Sequence, residues 1–162
     1  MFIKHQFEPV IFKDSEILIL GSFPSVKSRE NNFYYMNKYN RFWKVLSNLY
    51  NVDFLNLSID QKINYLKDLK IGIYDVVLEC EIIGSQDSSI KNIKVVDLYK
   101  LIEKTNITKI YLNGNKAYDI FKKHFPNLLN ISKKLPSTSP ANAAYTTEKL
   151  INEWKVIINN GK

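Results

Sequence analysis

Four short apolar segments, each ending in small polar residues, constrain the fold of this chain more than any other sequence feature. The first begins at Glu16, runs through four consecutive aliphatic residues and stops at Gly21. An unbroken apolar run of this kind is typical of a strand that is buried on both faces. The predicted strands are residues 16–20, 71–78, 108–112 and 130–135.

Between these strands, apolar residues recur at helical spacing. The predicted helices are residues 41–50, 58–69, 95–104, 116–124 and 146–158, with residues 2–14 as an arm packed across the sheet and residues 79–92 as a turn-rich loop. Ser58 and Gln61 form a capping-box pattern at the start of the second helix. Strands that alternate with helices pair in parallel. We therefore predict an α/β fold, a three-layer α/β/α arrangement around a central four-stranded parallel sheet, as one domain over residues 1–162.

The unusual polar sequences follow the predicted strands, at residues 21–25, 79–92, 113–117 and 135–142. Parallel strands bring such loops to one edge of the sheet, where α/β proteins form their ligand sites. The loops contain no Gly-rich phosphate motif, no dinucleotide fingerprint and no Gly-x-Ser-x-Gly turn of α/β hydrolases. The sequence therefore predicts one composite site that belongs to none of these three classes.

Composition narrows the function classes further. The formal net charge is +7, from 23 Lys and Arg against 16 Asp and Glu, which favours polyanions such as nucleic acid, although codon bias towards Lys, Asn and Ile would give the same charge. No apolar run approaches the about 20 residues of a membrane helix, and residues 1–10 do not form a signal peptide. The single cysteine, Cys80, excludes an internal disulfide, and two histidines offer no metal cluster. We expect no metal, no cofactor, no membrane contact and a cytoplasmic location.

The loop after the first strand is denser in aromatic residues than a solvated loop should be. Aromatic faces stack on nucleobases with about 1–3 kcal/mol per base. We expect Phe42 and Trp43 to enter the core at the start of a helix, which leaves either Tyr34 or Tyr35 as a stacking platform. Asn40 has two interpretations: it caps the following helix, or its amide recognises a base edge or positions a water.

Four titratable residues are assigned lesser roles. His5 and His124 are distant in sequence from the four loops, so we expect them to be structural or solvated. Asp75 lies at the end of a predicted strand, where it could serve as a base. Asp87 is interpreted as a cap for the segment that follows it.

The motifs at residues 21–25, 34–35, 40–43 and 135–142 resemble those of the uracil-DNA glycosylase superfamily. Two further segments, residues 84–88 (Gly-Ser-Gln-Asp-Ser) and 113–117 (Asn-Gly-Asn-Lys-Ala), are similar to its hypoxanthine-DNA (deoxyinosine) glycosylase branch. The motifs keep their order from about Ile17 to Asn142. The resemblance implies a uracil-DNA glycosylase-like fold and a monofunctional DNA glycosylase that flips a deaminated base, chiefly hypoxanthine, out of DNA and hydrolyses its N-glycosidic bond.

The resemblance also implies roles for individual residues. Asn40 matches the catalytic residue of the hypoxanthine branch. The residues expected to bind the base are Gly21, Ser22, Phe23, Pro24, Tyr34, Tyr35 and Asn113. The residues expected to contact DNA are Arg41, Pro136, Ser137, Thr138, Ser139 and Asn142. The implied partner is damaged DNA, bound by a monomer, with Ser137 to Ser139 pressed into the minor groove.

Two positions depart from the wider superfamily. Phe23 stands where the mismatch-specific branch has a water-positioning Asn, and Leu135 stands where other members often have a His or Asn. Neither side chain can perform the corresponding polar role. Three alternatives therefore stay open: a uracil or mismatch-type DNA glycosylase, a non-catalytic module that binds lesions or nucleic acid, and a free-nucleoside hydrolase.

Overall fold

The computed structural model describes residues 2–159, and they form seven strands and seven α-helices. The strands are β1 (Phe2–Lys4), β2 (Ile17–Gly21), β3 (Ile71–Asp75), β4 (Val77–Glu81), β5 (Lys91–Val95), β6 (Lys109–Asn113) and β7 (Ser132–Leu135). The helices are α1 (Val26–Asn31), α2 (Phe42–Tyr50), α3 (Ile59–Asp68), α4 (Leu98–Ile102), α5 (Asn115–His124), α6 (Thr147–Trp154) and α7 (Val156–Asn159). Short 3-10 turns lie at Phe54–Asn56, Asp87–Ser89 and Pro126–Ile131.

The central sheet has four parallel strands in the order β3-β2-β6-β7. Ile17 of β2 pairs with Ile71 on one side and with Lys109 on the other. Every residue of β2 is buried, so both faces of this strand are covered. The predicted fold class is confirmed, and the long apolar runs are its cause, since a strand covered on both faces needs apolar residues at every position.

A second sheet, which the sequence did not predict, has three antiparallel strands in the order β1-β4-β5. The single strand predicted at residues 71–78 was wrong: Val76 separates β3 from β4, and the chain passes there from one sheet to the other. The loop predicted at residues 79–92 contains the end of β4 and the start of β5. The sequence does not predict β5 because this strand is polar and partly exposed, and it therefore shows no apolar run.

The N-terminal arm lies along the edge of the structure, whereas it was expected to pack across the sheet. β1 pairs with β4, and Val10 forms an antiparallel bridge to Ile73 of the edge strand β3. Backbone pairing to two exposed strand edges holds the arm there. It carries its side chains towards the C-terminal end of β3.

Helix boundaries follow their caps. Ser58 and Gln61 form the predicted capping box before α3, and Ser25 accepts a hydrogen bond from the Ser28 N–H to begin α1. The helix predicted at residues 95–104 is shorter, because Asp97 caps α4. The helix predicted at residues 146–158 divides into α6 and α7 at Lys155.

Within the described part of the chain, no helix has the length and apolarity needed to cross a membrane.

Candidate active site

A cavity of about 540 Å³ opens at the C-terminal edge of the parallel strands. All four loops predicted to converge contribute to its lining. The lining residues are Gly21 to Ser25, Ser28, Tyr34, Tyr35, Asn37, Asn40, Asp75, Ser85 to Ser88, Asn113 and Ser137 to Ala141. Its volume lies within the roughly 300–1,000 Å³ of small-molecule sites.

The floor of the cavity, defined here as Gly21, Tyr35 and Asp75, lies where two neighbouring strands end. Gly21 ends β2 and pairs in register with Asp75 at the end of β3. A Cβ atom on Gly21 would lie 2.5 Å from Asp75 Oδ1 and 3.1 Å from Tyr35 Oη. Glycine is therefore required at this position, because any side chain would displace the two polar groups.

Asp75 is paired with a histidine that sequence reasoning had set aside. His5 Nε2 lies 2.8 Å from Asp75 Oδ2, and the two side chains are 0% and 5% exposed. β1 brings His5 to this point by pairing with β4, 70 residues away from Asp75 in the sequence. His5 was expected to be structural or solvated; its side chain is buried rather than solvated, and it lies at the site although it is distant from the four loops in sequence. Nothing local in the sequence marks it, since the contact depends on the second sheet.

Tyr35 lies in a strained backbone conformation on this floor. Its φ is +55°, in the left-handed region that non-glycine residues rarely adopt. One face of its ring stacks on Phe42, with centroids 3.9 Å apart. Its hydroxyl is buried and makes no hydrogen bond of normal geometry within residues 2–159. Burial raises the pKa of Tyr35 well above its usual range, the Asp75 carboxylate raises it further, and the nearby Asn113 side chain partly offsets both.

The neighbouring Tyr34 belongs to the core. It is 2% exposed, and its hydroxyl donates to the Glu8 carbonyl at 2.7 Å. Burial raises the pKa of Tyr34 well above its usual range, followed by the effect of Asp75. Of the two tyrosines, Tyr35 thus has the unpaired hydroxyl beside the floor. Base stacking by either residue stays a prediction.

Asn40 lies one residue before the N-cap of α2 and bonds to the first N–H of that helix, while its predicted contact with a base or a water stays a prediction. Its Oδ1 accepts from the Phe42 N–H at 2.9 Å and from Thr138 Oγ1 at 2.8 Å, which uses both of its lone pairs. Its Nδ2 makes no hydrogen bond within the described residues. The oxygen therefore fixes the side chain, and only the amino group remains to donate to a bound molecule.

Thr138 links Asn40 to Asn113. Asn113 Nδ2 donates to Thr138 Oγ1 at 3.0 Å, and the Thr138 N–H donates to Asn113 Oδ1 at the same distance. Thr138 is fully buried. This corrects the expectation that Thr138 presses into DNA, because its side chain has no exposed surface. Thr138 thereby connects Asn113, at the end of β6, to the side chain of Asn40 through hydrogen bonds.

The late loop, defined as residues 135–142, is held by Arg41. The Arg41 guanidinium donates to the carbonyls of Tyr145, Ser139 and Asn142, the latter two at 2.9 and 3.1 Å. Asn142 Nδ2 in turn donates to the Ser137 carbonyl at 3.0 Å. Both side chains are thus engaged within the protein, and their direct contact with DNA stays a prediction.

Other parts of the late loop remain accessible. Pro136, Ser137 and Ser139 are half-buried, and the tip at Pro140 and Ala141 is exposed. The Pro136 carbonyl accepts from the Trp154 indole, which anchors the loop to α6.

The two residues that depart from the wider superfamily pattern are buried. Leu135 is 2% exposed at the end of β7, so it belongs to the core. Phe23 lines the cavity and packs edge-on against His5, with the Arg29 guanidinium carbon 5.7 Å from its ring centre. Phe23 therefore gives the cavity an apolar wall beside the His5–Asp75 pair.

A second carboxylate reaches the cavity from the loop after β4. Ser22 Oγ donates to Asp87 Oδ1 at 2.6 Å, so Asp87 does not cap the segment after it as expected. Although the residue as a whole is exposed, its carboxyl group is turned inward. Desolvation of this group raises the pKa of Asp87, and the Ser22 hydrogen bond partly offsets the rise.

Comparison with known proteins agrees with this architecture. The family model of the uracil DNA glycosylase superfamily matches residues 9–160. A protein of Methanosarcina acetivorans named hypoxanthine DNA glycosylase is 31% identical over 159 residues, covering 98% of this chain and 99% of that protein. One of the same name from Methanosarcina barkeri is 32% identical over 115 residues, covering 70% of this chain and 73% of its own length.

A solved structure shares the fold. The solution NMR structure of a protein from Methanosarcina acetivorans, described as a candidate uracil DNA glycosylase, superimposes with a TM-score of 0.78 at 32% identity. The superposition covers 97% of this chain and 96% of that one.

Proposed function

Because this chain belongs to the uracil DNA glycosylase superfamily, we propose that it is a DNA glycosylase that removes hypoxanthine from DNA. The observation that carries the substrate assignment is its similarity, over 98% of its length, to a protein named hypoxanthine DNA glycosylase. The cavity supports it, since donors and carboxylates converge on a space suited to a single base.

Base release begins with the flipping of the deoxyinosine nucleotide into the cavity. Unstacking costs a few kcal/mol and is least costly for a mispaired base. The face of the Tyr35 ring opposite Phe42 stacks on the base, while Phe42 supports the other face. The Gly21 to Pro24 turn and Asn113 contact the edge of the base.

Asn40 stabilises the departing base. As the bond between C1′ of the sugar and N9 breaks, its electron pair passes to the purine, whose oxygen and nitrogens gain negative charge. Asn40 Nδ2, fixed by the two bonds to its oxygen, donates to that developing charge. Water then adds to the oxocarbenium-like sugar and leaves an abasic site.

The DNA backbone lies along an open groove beside the cavity. This groove of about 730 Å³ adjoins the late loop, and its charged lining residues are Lys116 and Lys134 together with Asp87, Asp119 and Glu153. Lysine side chains bind phosphates and release counterions, so binding weakens with salt. The half-exposed Pro136, Ser137 and Ser139 then face the gap left by the flipped nucleotide.

An oligonucleotide panel tests this function. Duplexes containing deoxyinosine, deoxyuridine, deoxyxanthosine or ethenocytosine are incubated with the purified protein and treated with alkali. We expect a strand break at deoxyinosine above all, and none without alkali, because the enzyme is monofunctional. A break at deoxyuridine alone would replace hypoxanthine with uracil, the base in the description of the structural neighbour.

The departures at Phe23 and Leu135 favour one other candidate, a non-catalytic module that binds lesions. Tight binding to the deoxyinosine duplex with no break on any lesion, unchanged by Asn40→Ala, would establish that function instead. Turnover of free inosine with little salt dependence would indicate a nucleoside hydrolase.

Three further features are proposed for this enzyme: a single domain over residues 1–162, a monomeric state and a cytoplasmic location. Limited proteolysis, light scattering and a fluorescent fusion test them in turn.

A further inference from the structure

Hydrolysis needs a group that accepts a hydrogen bond from the attacking water, and the residues given a role in base release so far do not supply one. Asn40 Oδ1 already accepts two hydrogen bonds. Phe23 is apolar, and the Tyr35 hydroxyl has a pKa raised by burial, so it stays a donor. The remaining acceptors are the two carboxylates of the cavity, and we consider Asp75 because it is the buried one, whereas Asp87 is exposed and bonded to Ser22.

The Asp75 carboxylate has one oxygen held and one free. Oδ2 bonds to His5 Nε2 at 2.8 Å. Oδ1 makes no hydrogen bond within residues 2–159 and faces the space above Gly21, in a residue that lines the cavity. Asp75 is 4% exposed, and burial of a carboxylate is costly unless it is paired.

The His5 ring is packed among aromatic side chains, and it bonds to the Asp75 carboxylate. Its ring lies among four aromatic rings, with centroids 4.6 Å from Phe7, 4.9 Å from Tyr74, 6.0 Å from Tyr34 and 6.1 Å from Phe23. Its Nδ1 is buried without a partner, so the neutral tautomer with the proton on Nε2 fits this site. Its Nε2–H then donates to Asp75 and fixes the direction of the free oxygen.

Asp75 Oδ1 and Tyr35 Oη lie close together over Gly21. They are 2.5 and 3.1 Å from the point that a Cβ atom on Gly21 would take, and both residues line the cavity. A water in the cavity beside them could donate to the carboxylate and accept from the tyrosine hydroxyl. The buried Tyr35 hydroxyl would thereby gain a partner.

We propose that Asp75 is the residue that activates water for base release, with His5 as its positioning residue; this inference rests on the proposed glycosylase function. The water donates one proton to Asp75 Oδ1 as its oxygen forms the new bond to C1′. The bond from C1′ to N9 breaks, and its electron pair leaves with the base. The proton then passes from Asp75 to the purine, so that water and nucleotide give an abasic site and neutral hypoxanthine.

Single-turnover kinetics with a deoxyinosine duplex, at saturating protein, test this role. Asp75→Asn keeps the size of the side chain but cannot accept a proton, and we expect it to slow base release by about 100-fold or more. Its affinity for a duplex with the non-hydrolysable 2′-fluoro analogue of deoxyinosine should stay within about threefold of the wild-type value, because general-base catalysis acts on the rate. Asp97→Asn is the matched control, since Asp97 only caps α4 and Asn caps equally well.

His5 is tested by a pair of variants. His5→Phe removes the donor, and we expect a slower rate with unchanged affinity, whereas His5→Gln restores a donor and part of the rate. Formate added to Asp75→Ala should restore release by supplying a carboxylate, which also covers the case in which Asp75→Asn folds poorly.

Wild-type rates in both Asp75→Asn and His5→Phe would overturn the inference and leave the glycosylase function intact. Equal losses of rate, affinity and thermal stability, without rescue by formate or Gln, would also overturn it, because they would show a structural role. No base release by the wild-type protein would instead remove the proposed function on which the inference rests.

Discussion

The floor and the late loop both line one cavity, but they differ in how their polar groups are hydrogen-bonded. In the late loop, Thr138 and Asn142 make hydrogen bonds with other protein groups. Arg41 donates to two carbonyls of the late loop and to the carbonyl of Tyr145, which follows the loop. On the floor, the Tyr35 hydroxyl is buried without a partner, and the nearby Asp75 Oδ1 makes no hydrogen bond within residues 2–159. Buried polar groups are normally paired, so the unpaired hydroxyl marks the floor as a side that a substrate or water completes.

Asn40 belongs to both sides. Its oxygen is bonded to Thr138 of the late loop and to the start of α2, while its amino group has no partner within the described residues. The late loop thus acts as a scaffold that presents one donor, and the floor holds the groups that act on water. Variants that separate rate from stability can break or sharpen this division.

The largest effect is expected for Asn40→Asp. Aspartate keeps the two accepted hydrogen bonds but loses the amino group and places negative charge beside the departing base. Loss of one such donor slows a reaction by about 10²–10³-fold. Single-turnover release of hypoxanthine should fall by this factor while the thermal midpoint stays near that of the wild type. Asn40→Ala, which also loses the capping bond, should lose both rate and stability.

A smaller effect on rate and a larger one on stability are expected for Thr138→Val. Removal of the hydroxyl leaves Asn113 Nδ2 without its partner and leaves Asn40 Oδ1 with the Phe42 N–H alone, which costs about 1–3 kcal/mol of unfolding free energy. Asn40 loses one anchor, and release should slow by about tenfold, less than the roughly 100-fold of a full 1 Å displacement. Urea unfolding and single-turnover assays measure the two quantities. Thr138→Ser keeps the hydroxyl and should match the wild type in both, and a Thr138→Val protein of unchanged stability would contradict the network.

The smallest effect concerns Arg41 and the salt dependence of DNA binding. Because protein carbonyls occupy its guanidinium, Arg41→Gln should weaken binding without changing the slope of log K against log salt. Lys134→Gln, in the groove beside the late loop, is the comparison, and its slope should fall by about 1. A fall of the slope in Arg41→Gln would instead place this guanidinium on a phosphate.

The sequence predicted the part of the fold that depends on local pattern. β2 and β3 are buried at every position, so their apolar runs identify the parallel sheet and the edge where the site forms. The residues of β5 are exposed or half-buried and include two lysines, so nothing in its composition reveals the second sheet. The His5–Asp75 contact depends on that sheet and joins residues 70 positions apart. The motif resemblance likewise singled out Asn40, but it could not show that the amide oxygen is bonded within the protein while the amino group makes no hydrogen bond within the described residues.

Two glycines allow the most direct test of the division between floor and late loop. Gly21→Ala would place a methyl group 2.5 Å from Asp75 Oδ1, whereas Gly114→Ala would place one 3.0 Å from Ser137 Cβ, at a φ of +99°. The measurement is the single-turnover rate of hypoxanthine release from a deoxyinosine duplex, at saturating folded protein, for both variants beside the wild type. We expect Gly21→Ala to be slower by about 100-fold, and Gly114→Ala to be less stable but within about tenfold of the wild-type rate, since strain in the left-handed region costs about 1–2 kcal/mol. A Gly21→Ala protein that releases hypoxanthine as fast as Gly114→Ala would contradict the assignment of the chemistry to the floor.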